Sequence, residues 1–476
     1  MPDFLQFMSD VMWGSIMIYL LAGAGIWFTW RTGFIQFRYL RHYRKSLKNS
    51  LTPQPGGLTS FQALCTSLAA RVGSGNFAGI SLAIAAGGPG AIFWMWISGL
   101  TGMAISFAEC SLSQLYKQRD ATGQFRGGPA WYMDRGLGMR WMGILFSLFL
   151  LLSYGLVFNT VQAHSVASAV NYAFSVPSLA TGAGLAVLVL LSVVRGIRGV
   201  ARMLQWLVPV IVVIWVIASL LVTAWHITAL PGTLAAIVKS AFGWQEAAAG
   251  AAGYTVSQAL TSGFQRGMFS NEAGMGSTPN VAAAAASWPP HPAAQGIVQM
   301  IGVFIDTFII STCSALIVLL AGANTPHTAI EGIQRIQQAM VMLIGDAGAG
   351  LVAIVVMLFA FTSIVGNYLY AENNLIFLRL DALWARRALR AATLIMVVAG
   401  SFLSFPVVWQ LANIVMALMV ITNLTAILLL SPVVRLIASD YLRQRKLGVQ
   451  PVFDPQRYPD LQQQLMPDTW ENPPKQ

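Results

Sequence analysis

Long apolar runs follow one another along nearly the whole chain, separated by shorter stretches that carry the charge. A helix that spans a bilayer needs about 20 mostly apolar residues. By that criterion eleven segments qualify, at approximately 10–31, 60–86, 90–115, 141–171, 176–194, 201–226, 250–275, 294–322, 348–378, 390–404 and 408–436. No composition break divides them, so residues 1–446 are expected to form one all-α, polytopic transmembrane domain. Residues 447–476, rich in Pro and Gln, are expected to form a loosely ordered cytoplasmic tail. The first run has no Lys or Arg before it and no small-residue cleavage site. It also exceeds the apolar core of a secretory signal, and is expected to remain as a helix.

Composition sharpens this reading. Of 476 residues, 56% are hydrophobic and only 9% are charged, against roughly a quarter charged in ordinary soluble domains. The net charge of +11 is placed unevenly. Of 28 Lys and Arg, 24 lie in the loops or tail expected on one side, whereas the opposite loops hold only Lys239 and Arg335. Cytoplasmic loops collect Lys and Arg, so the N-terminus is expected outside and the C-terminus inside a bacterial inner membrane. The interleaved Phe37, Arg38, Tyr39, Arg41, Tyr43, Arg44, Lys45 and Lys48 then read as a juxtamembrane segment on anionic lipid, not as a nucleic-acid surface. Cys65, Cys110 and Cys313 fall in apolar segments without metal-like spacing and read as packing residues.

Two of the spans break the rules of a membrane helix. In the second, Arg71-Val72-Gly73-Ser74-Gly75-Asn76-Phe77 puts glycines, polar residues and a cation between apolar halves, and in the seventh the stretch Ser262 to Ser277 does the same. Backbone interrupted at membrane depth is tolerated where it is buried or lines a cavity. Leaving the first helix aside, these are the leading helices of two five-helix halves, and the odd spacing gives the halves opposite orientation. Paired interruptions of this kind mark the binding site of an inverted-repeat transporter. Free amides at one half-helix end suit a carboxylate, and free carbonyls at the other suit a hard cation. The bland alternative is that Gly73 and Gly75 only permit close helix packing. It leaves Arg71, Arg266 and Glu272 unexplained, and these read as structural pairs or as substrate contacts.

Other polar positions carry two readings each. Thr362-Ser363 in the ninth span could complete a sodium site, or could bond back to its own helix. Asn159, Gln162 and His164 form a polar patch in the fourth span, suited to interhelical hydrogen bonds or to a ligand. Asp306 and Glu109 suit helix–helix hydrogen bonding or proton chemistry.

Gly87-Gly88-Pro89-Gly90-Ala91-Ile92-Phe93-Trp94-Met95-Trp96-Ile97-Ser98-Gly99-Leu100-Thr101-Gly102 and Phe269-Ser270-Asn271-Glu272-Ala273-Gly274-Met275-Gly276-Ser277 resemble the signatures of the sodium:alanine symporter family, also described as alanine or glycine:cation symporters. The resemblance runs from the first helix to Leu428-Leu429-Leu430-Ser431-Pro432-Val433-Val434. It implies eleven helices, one extra N-terminal helix plus a LeuT-like five-plus-five inverted repeat, and inward sodium symport of a small neutral amino acid, alanine or glycine. Val72-Gly73-Ser74-Gly75-Asn76-Phe77 is also similar to a run in sodium-coupled neurotransmitter transporters, although Arg71 stands where a small residue is usual. By that similarity the carbonyls of Ala69 and Val72 with Thr362 and Ser363 would hold sodium. Gly73, Ser74, Gly75 and Asn76 would receive the amino acid, with Gln162, Gly263 and Phe264 as further candidate contacts. No cofactor is implied beyond the coupling ion.

A proton-coupled carrier using Asp306, Glu272 or Glu109 is the alternative within transport. A channel would need a continuous polar lining, and His42, His164, His226, His291 and His327 are too scattered for an enzyme's ligand set.

Overall fold

The computed structural model describes residues 8, 11–38, 42–244, 252–322, 332–403, 405–467 and 469–470; Tyr39, Arg41, His327 and the tail residues 471–476 lie outside them. Most described residues are helical; strand pairing is confined to a hairpin of Gln118–Arg119 with Phe125–Arg126 and a single parallel bridge between Leu58 and Ala285. The principal helices are α1 (Val11–Arg31), α2 (Ser60–Arg71), α3 (Ala78–Gly87), α4 (Gly90–Leu115), α5 (Arg140–Phe174), α6 (Ser178–Val193), α7 (Gly196–Trp225), α8 (Ala252–Asn271), α9 (Pro292–Leu320), α10 (Ala347–Phe377), α11 (Leu383–Gly400), α12 (Phe405–Leu429) and α13 (Ser431–Lys446). Seven of these (α1, α4, α5, α7, α9, α10 and α12) are long and apolar enough to cross a membrane, and α2 with α3 would make an eighth, bent by 62°. The helices α6, α8 and α11 stand where the other three expected spans fall.

Boundaries follow local chemistry. The start of α2 carries a capping box, in which Thr59 Oγ1 accepts from Gln62 N at 3.0 Å and Thr59 N donates to Gln62 Oε1 at 3.0 Å. At α9, His291 Nδ1 accepts from Ala293 N at 3.1 Å and Pro292 fills the first turn, where its missing N–H costs nothing. The eleventh expected span, drawn to 436, ends instead at Leu429. Pro432 cannot continue a helix because it lacks the N–H, and its fixed φ starts α13. The seventh, drawn to 275, ends at Asn271, because Glu272 turns into the left-handed region at φ 55°. The first half of the stretch from Ser262 is therefore regular helix, and the interruption begins at Glu272.

Lipid gives helices little hydrophobic reason to associate, so close approach and interhelical hydrogen bonds carry the packing. The centre of the bundle is α4, and every residue from Gly102 to Leu115 is buried. Three neighbours meet it through glycine: α1 at Gly25 against Thr101, α8 at Gly267 against Ser98, and α9 at Gly296 against Ser111. In α7, Pro209 removes the N–H that would have bonded the Gln205 carbonyl. That carbonyl takes a long 4.0 Å contact from Cys65 Sγ of α2, while Gln62 Nε2 donates to Gln205 Oε1 at 3.1 Å.

The described part of the tail packs against the helices. Past α13, Phe453 N donates to the Pro290 carbonyl at 3.0 Å, Gln464 Oε1 accepts from Tyr116 at 2.8 Å, and Trp470 Nε1 donates to Leu115 O at 3.1 Å. The Lys117 ammonium lies 4.9 Å from the Trp470 ring and 4.0 Å from Phe125, and burial pushes its pKa down to about 7. Apolar side chains at Phe453, Leu461 and Trp470 give a Pro- and Gln-rich segment enough buried surface to dock.

Candidate functional site

The centre of the molecule is built around the end of α2. After Arg71, Gly73 leaves helical backbone at φ −149° and ψ −148°, residues 74–76 make one 3-10 turn, and α3 resumes at Ala78. Asn76 holds the turn by accepting from Gly73 N on Oδ1 at 3.3 Å, the local side-chain competition that draws Asn out of helices. Arg71, 2% exposed, donates to Thr278 Oγ1 at 3.1 Å, to Ser106 Oγ at 3.2 Å and to the Gln299 carbonyl at 3.3 Å. It makes no ion pair among the described residues. Its buried charge instead faces Glu109, Glu272 and Asp306 at longer range.

The second interruption follows α8. Positive φ at Glu272, Gly274 (84°) and Gly276 (77°) coils the chain before the short helix Pro279–Ala283. Glu109 of α4 accepts from Gly274 N at 3.3 Å, from Gly276 N at 3.2 Å and from Asn423 Nδ2 at 3.0 Å, so a buried carboxylate satisfies the amides that the coil exposes. Ser277 Oγ donates to Glu272 Oε2 at 2.7 Å. Each carboxylate thus has a hydrogen-bond partner, while Glu272 Oε1 has none among the described residues.

Asp306 joins the first interruption to the last turn of α8. It lies in a π-helical segment, Ile305–Ser311, of α9 and is fully buried. Its carboxylate accepts from Asn76 Nδ2 at 2.7 Å, Ser270 Oγ at 3.0 Å and Thr307 Oγ1 at 3.3 Å, and Asn76 Nδ2 also reaches Ser311 Oγ at 3.0 Å. A wide π turn often marks a functional position.

Two further helices close on the same turn. From α5, Gln162 Oε1 accepts from Ser74 N at 2.9 Å, and a Cβ on Gly73 would fall 2.6 Å from Gln162 Nε2. Gln162 Nε2 and Ser74 Oγ are buried with no hydrogen-bond partner among the described residues. From α10, Ser363 Oγ donates to the Ala70 carbonyl at 2.8 Å, Gly366 lets the backbones approach there, and Thr362 bonds back to Phe359 O at 2.9 Å. One turn on, Asn367 Nδ2 donates to Asn159 Oδ1 at 2.9 Å. Asn159 in turn donates to the Tyr154 and Gly155 carbonyls of a second π segment, Leu151–Val157.

The expected substrate residues Gly73, Ser74, Gly75, Asn76 and Gln162 thus lie together. Gly263 lies elsewhere, with its Cα against Ala91 and Trp94 of α4, where a side chain would collide; Phe264 beside it is core. Of the sodium candidates, Ala69 and Val72 flank the carbonyl that Ser363 bonds, and Thr362 turns to its own helix. Sequence reasoning missed Phe269 and Ser270, which approach Gly75 within about 3.7 Å of where its Cβ would stand. Phe269 stacks on Trp409 at 5.1 Å and meets Phe158 at 5.5 Å, while Arg266 lies over Trp409 at 4.9 Å. The motif holding Phe269 and Ser270 was visible in the sequence, but nothing there aimed it at Gly75. Among the described residues no group of three or more His, Cys, Asp or Glu could hold a metal.

The sequence matches the sodium:alanine symporter family over residues 1–455. It is 66% identical to the uncharacterized transporter YaaJ of Escherichia coli (strain K12), covering 99% of each chain. It is 44% identical to the amino-acid carrier protein AlsT of Bacillus subtilis (strain 168), covering 98% of this chain and 96% of that one. It is 35% identical to the sodium/alanine symporter AgcS of Methanococcus maripaludis, covering 91% and 96%.

Proposed function

We propose that this chain, which belongs to the sodium:alanine symporter family, imports alanine or glycine together with sodium across a bacterial inner membrane. It is a membrane transporter and not an enzyme. The observation that carries the substrate reading is the pair of buried, unpartnered polar atoms at the turn, Ser74 Oγ and Gln162 Nε2. A buried donor without an acceptor costs about 1–3 kcal/mol. An amino-acid carboxylate would accept from both, and glycines at 73 and 75 keep the backbone close to it. Gln162 beside Gly73 and Phe269 beside Gly75 favour a small side chain.

Sodium is assigned to the carbonyls of Ala69 and Val72 with the hydroxyls of Thr362 and Ser363. The last carbonyls of α2 have no intrahelical donors, and oxygen ligands suit a hard cation. What supports the reading is that α10 already meets α2 there through Ser363. An ion in that place ties α10 to the turn that receives the amino acid, so each ligand favours the other. One positive charge moving inward gains about 2.3 kcal/mol per 100 mV. The architecture proposed is eleven spans, with the five from α2 and the five from α8 as inverted halves. Support comes from an interruption after the leading helix of each half and from the loop cations, whose bias favours an outside N-terminus.

A second reading, proton coupling, has one specific observation in its favour: Asp306 bonds Asn76 of the first interruption and Ser270 in the last turn of α8. Uptake of labelled alanine into proteoliposomes separates the two. Sodium symport requires uptake that saturates with sodium at fixed pH and is competed by glycine. Uptake driven by a proton gradient without sodium, and lost in Asp306→Asn, would replace it with the proton reading.

A further inference from the structure

The short helix Tyr43–Ser50 lies on the face that carries the basic loops, with Tyr43 and Leu47 turned into the protein. Between it and the segment after α13 opens a cavity of about 250 Å³, walled by Lys45, Asn49, Trp288, Tyr441, Arg445 and Gln450. No carboxylate lines it among the described residues. Neither the Lys45 nor the Arg445 side chain has a hydrogen bond or ion pair among the described residues, whereas Arg443, two residues away, holds Asp440 at 2.7 Å. Both cations also bear on His42, whose pKa is lowered by burial, then by Arg445 and Lys45. Two cationic side chains therefore converge on one polar cleft.

Two residues beyond Asn49 the surface changes character. Leu51, 56% exposed, opens a cavity of about 540 Å³ walled by Phe61, Trp206, Pro209, Val210 and Val213. The wall from α7 is the outward face of an apolar spanning helix, where acyl chains lie. A polar basic cleft and an apolar groove at successive positions of one interfacial helix match the two ends of one kind of molecule.

We propose that the cleft binds the phosphate of an anionic phospholipid, with Lys45 and Arg445 as its partners and the groove at Leu51 taking part of an acyl chain. A zwitterionic choline headgroup would bring its own cation against Lys45, so the site discriminates by net charge. A free phosphate would use the cleft and leave the groove empty.

The test is thermal unfolding of the full chain in detergent, with the midpoint followed against added phosphatidylglycerol, phosphatidylcholine of the same chains, or inorganic phosphate. Phosphatidylglycerol raises the midpoint saturably, and the other two do not. At about fivefold per cation, the double variant Lys45→Gln/Arg445→Gln needs roughly twenty-five-fold more phosphatidylglycerol for half the effect. Arg198→Gln, in the first turn of α7, keeps the wild-type dependence. Should the double variant not fold, Lys45→Gln alone, at an exposed position, gives about a fivefold shift. An unchanged lipid dependence in the variants overturns the site, and an equal shift with inorganic phosphate overturns the lipid as its source.

Discussion

Ser363 in the middle of α10 donates to the carbonyl of Ala70, the next-to-last residue of α2, at 2.8 Å. That bond crosses between two helices at the point where one of them stops being a helix. A helix end leaves carbonyls without donors, and here one of them is met by the hydroxyl assigned to sodium. The donated proton leaves the lone pairs of the Ser363 hydroxyl oxygen available to a cation.

Removing the hydroxyls should separate ion binding from substrate binding. In Thr362→Val/Ser363→Ala, the sodium concentration for half-maximal alanine uptake is expected to rise tenfold or more, about 1.4 kcal/mol per tenfold. Alanine affinity at saturating sodium should change much less. Sodium titration of uptake in proteoliposomes reads both, and an unmoved sodium dependence would withdraw the assignment.

The two glycines of the turn should respond differently to one methyl group. At Gly73 a Cβ falls 2.6 Å from Gln162 Nε2, whereas at Gly75 its nearest neighbours stand at 3.6 and 3.7 Å. Gly73→Ala is expected to cost about 1–3 kcal/mol in strain or displacement of Gln162, with uptake reduced tenfold or more. Gly75→Ala should insert and transport, while Gly75→Leu should insert and fail to transport. Uptake normalised to inserted protein distinguishes the three, and full activity in Gly73→Ala would remove Gln162 from the site.

Orientation can be read by labelling, because Cys65, Cys110 and Cys313 are all buried. Thr122, exposed at the tip of the hairpin, and Lys239, exposed at the end of Leu230–Ala241, belong to opposite sides in the proposed topology. In whole cells, a maleimide that cannot cross the membrane should label Lys239→Cys and spare Thr122→Cys. The reverse pattern would invert the protein.

The docked tail depends on Trp470, 8% exposed and bonded to Leu115. Trp470→Ala should remove about 3 kcal/mol or more of local packing. Trypsin should then cut after the exposed Arg457 at least tenfold faster in a timed digest. Equal cleavage rates would show that Phe453 and Leu461 hold the segment alone.

What the sequence determined by itself was whatever rests on solvent and backbone chemistry. Apolar runs located α4 to the residue, because lipid rewards an unbroken apolar helix and the glycine-rich Gly87-Gly88-Pro89 ends the one before it. The run from Val72 to Asn76 announced an interruption because glycine and asparagine favour other backbone, and family motifs named the transport class. The tertiary structure decided where side chains meet. Asp306 was visible only as a carboxylate in an apolar segment until α9, through a π turn, set it between Asn76 and Ser270. Gly263 and Gly73 look alike in the sequence, yet one packs on α4 and the other faces Gln162, a difference made by the neighbour and not by the residue. The tail's composition spoke for disorder, and three apolar side chains too far apart to form a local pattern found a surface on which to dock. Charge pairing, packing and docking are properties of distances across the chain, and those exist only once it has folded.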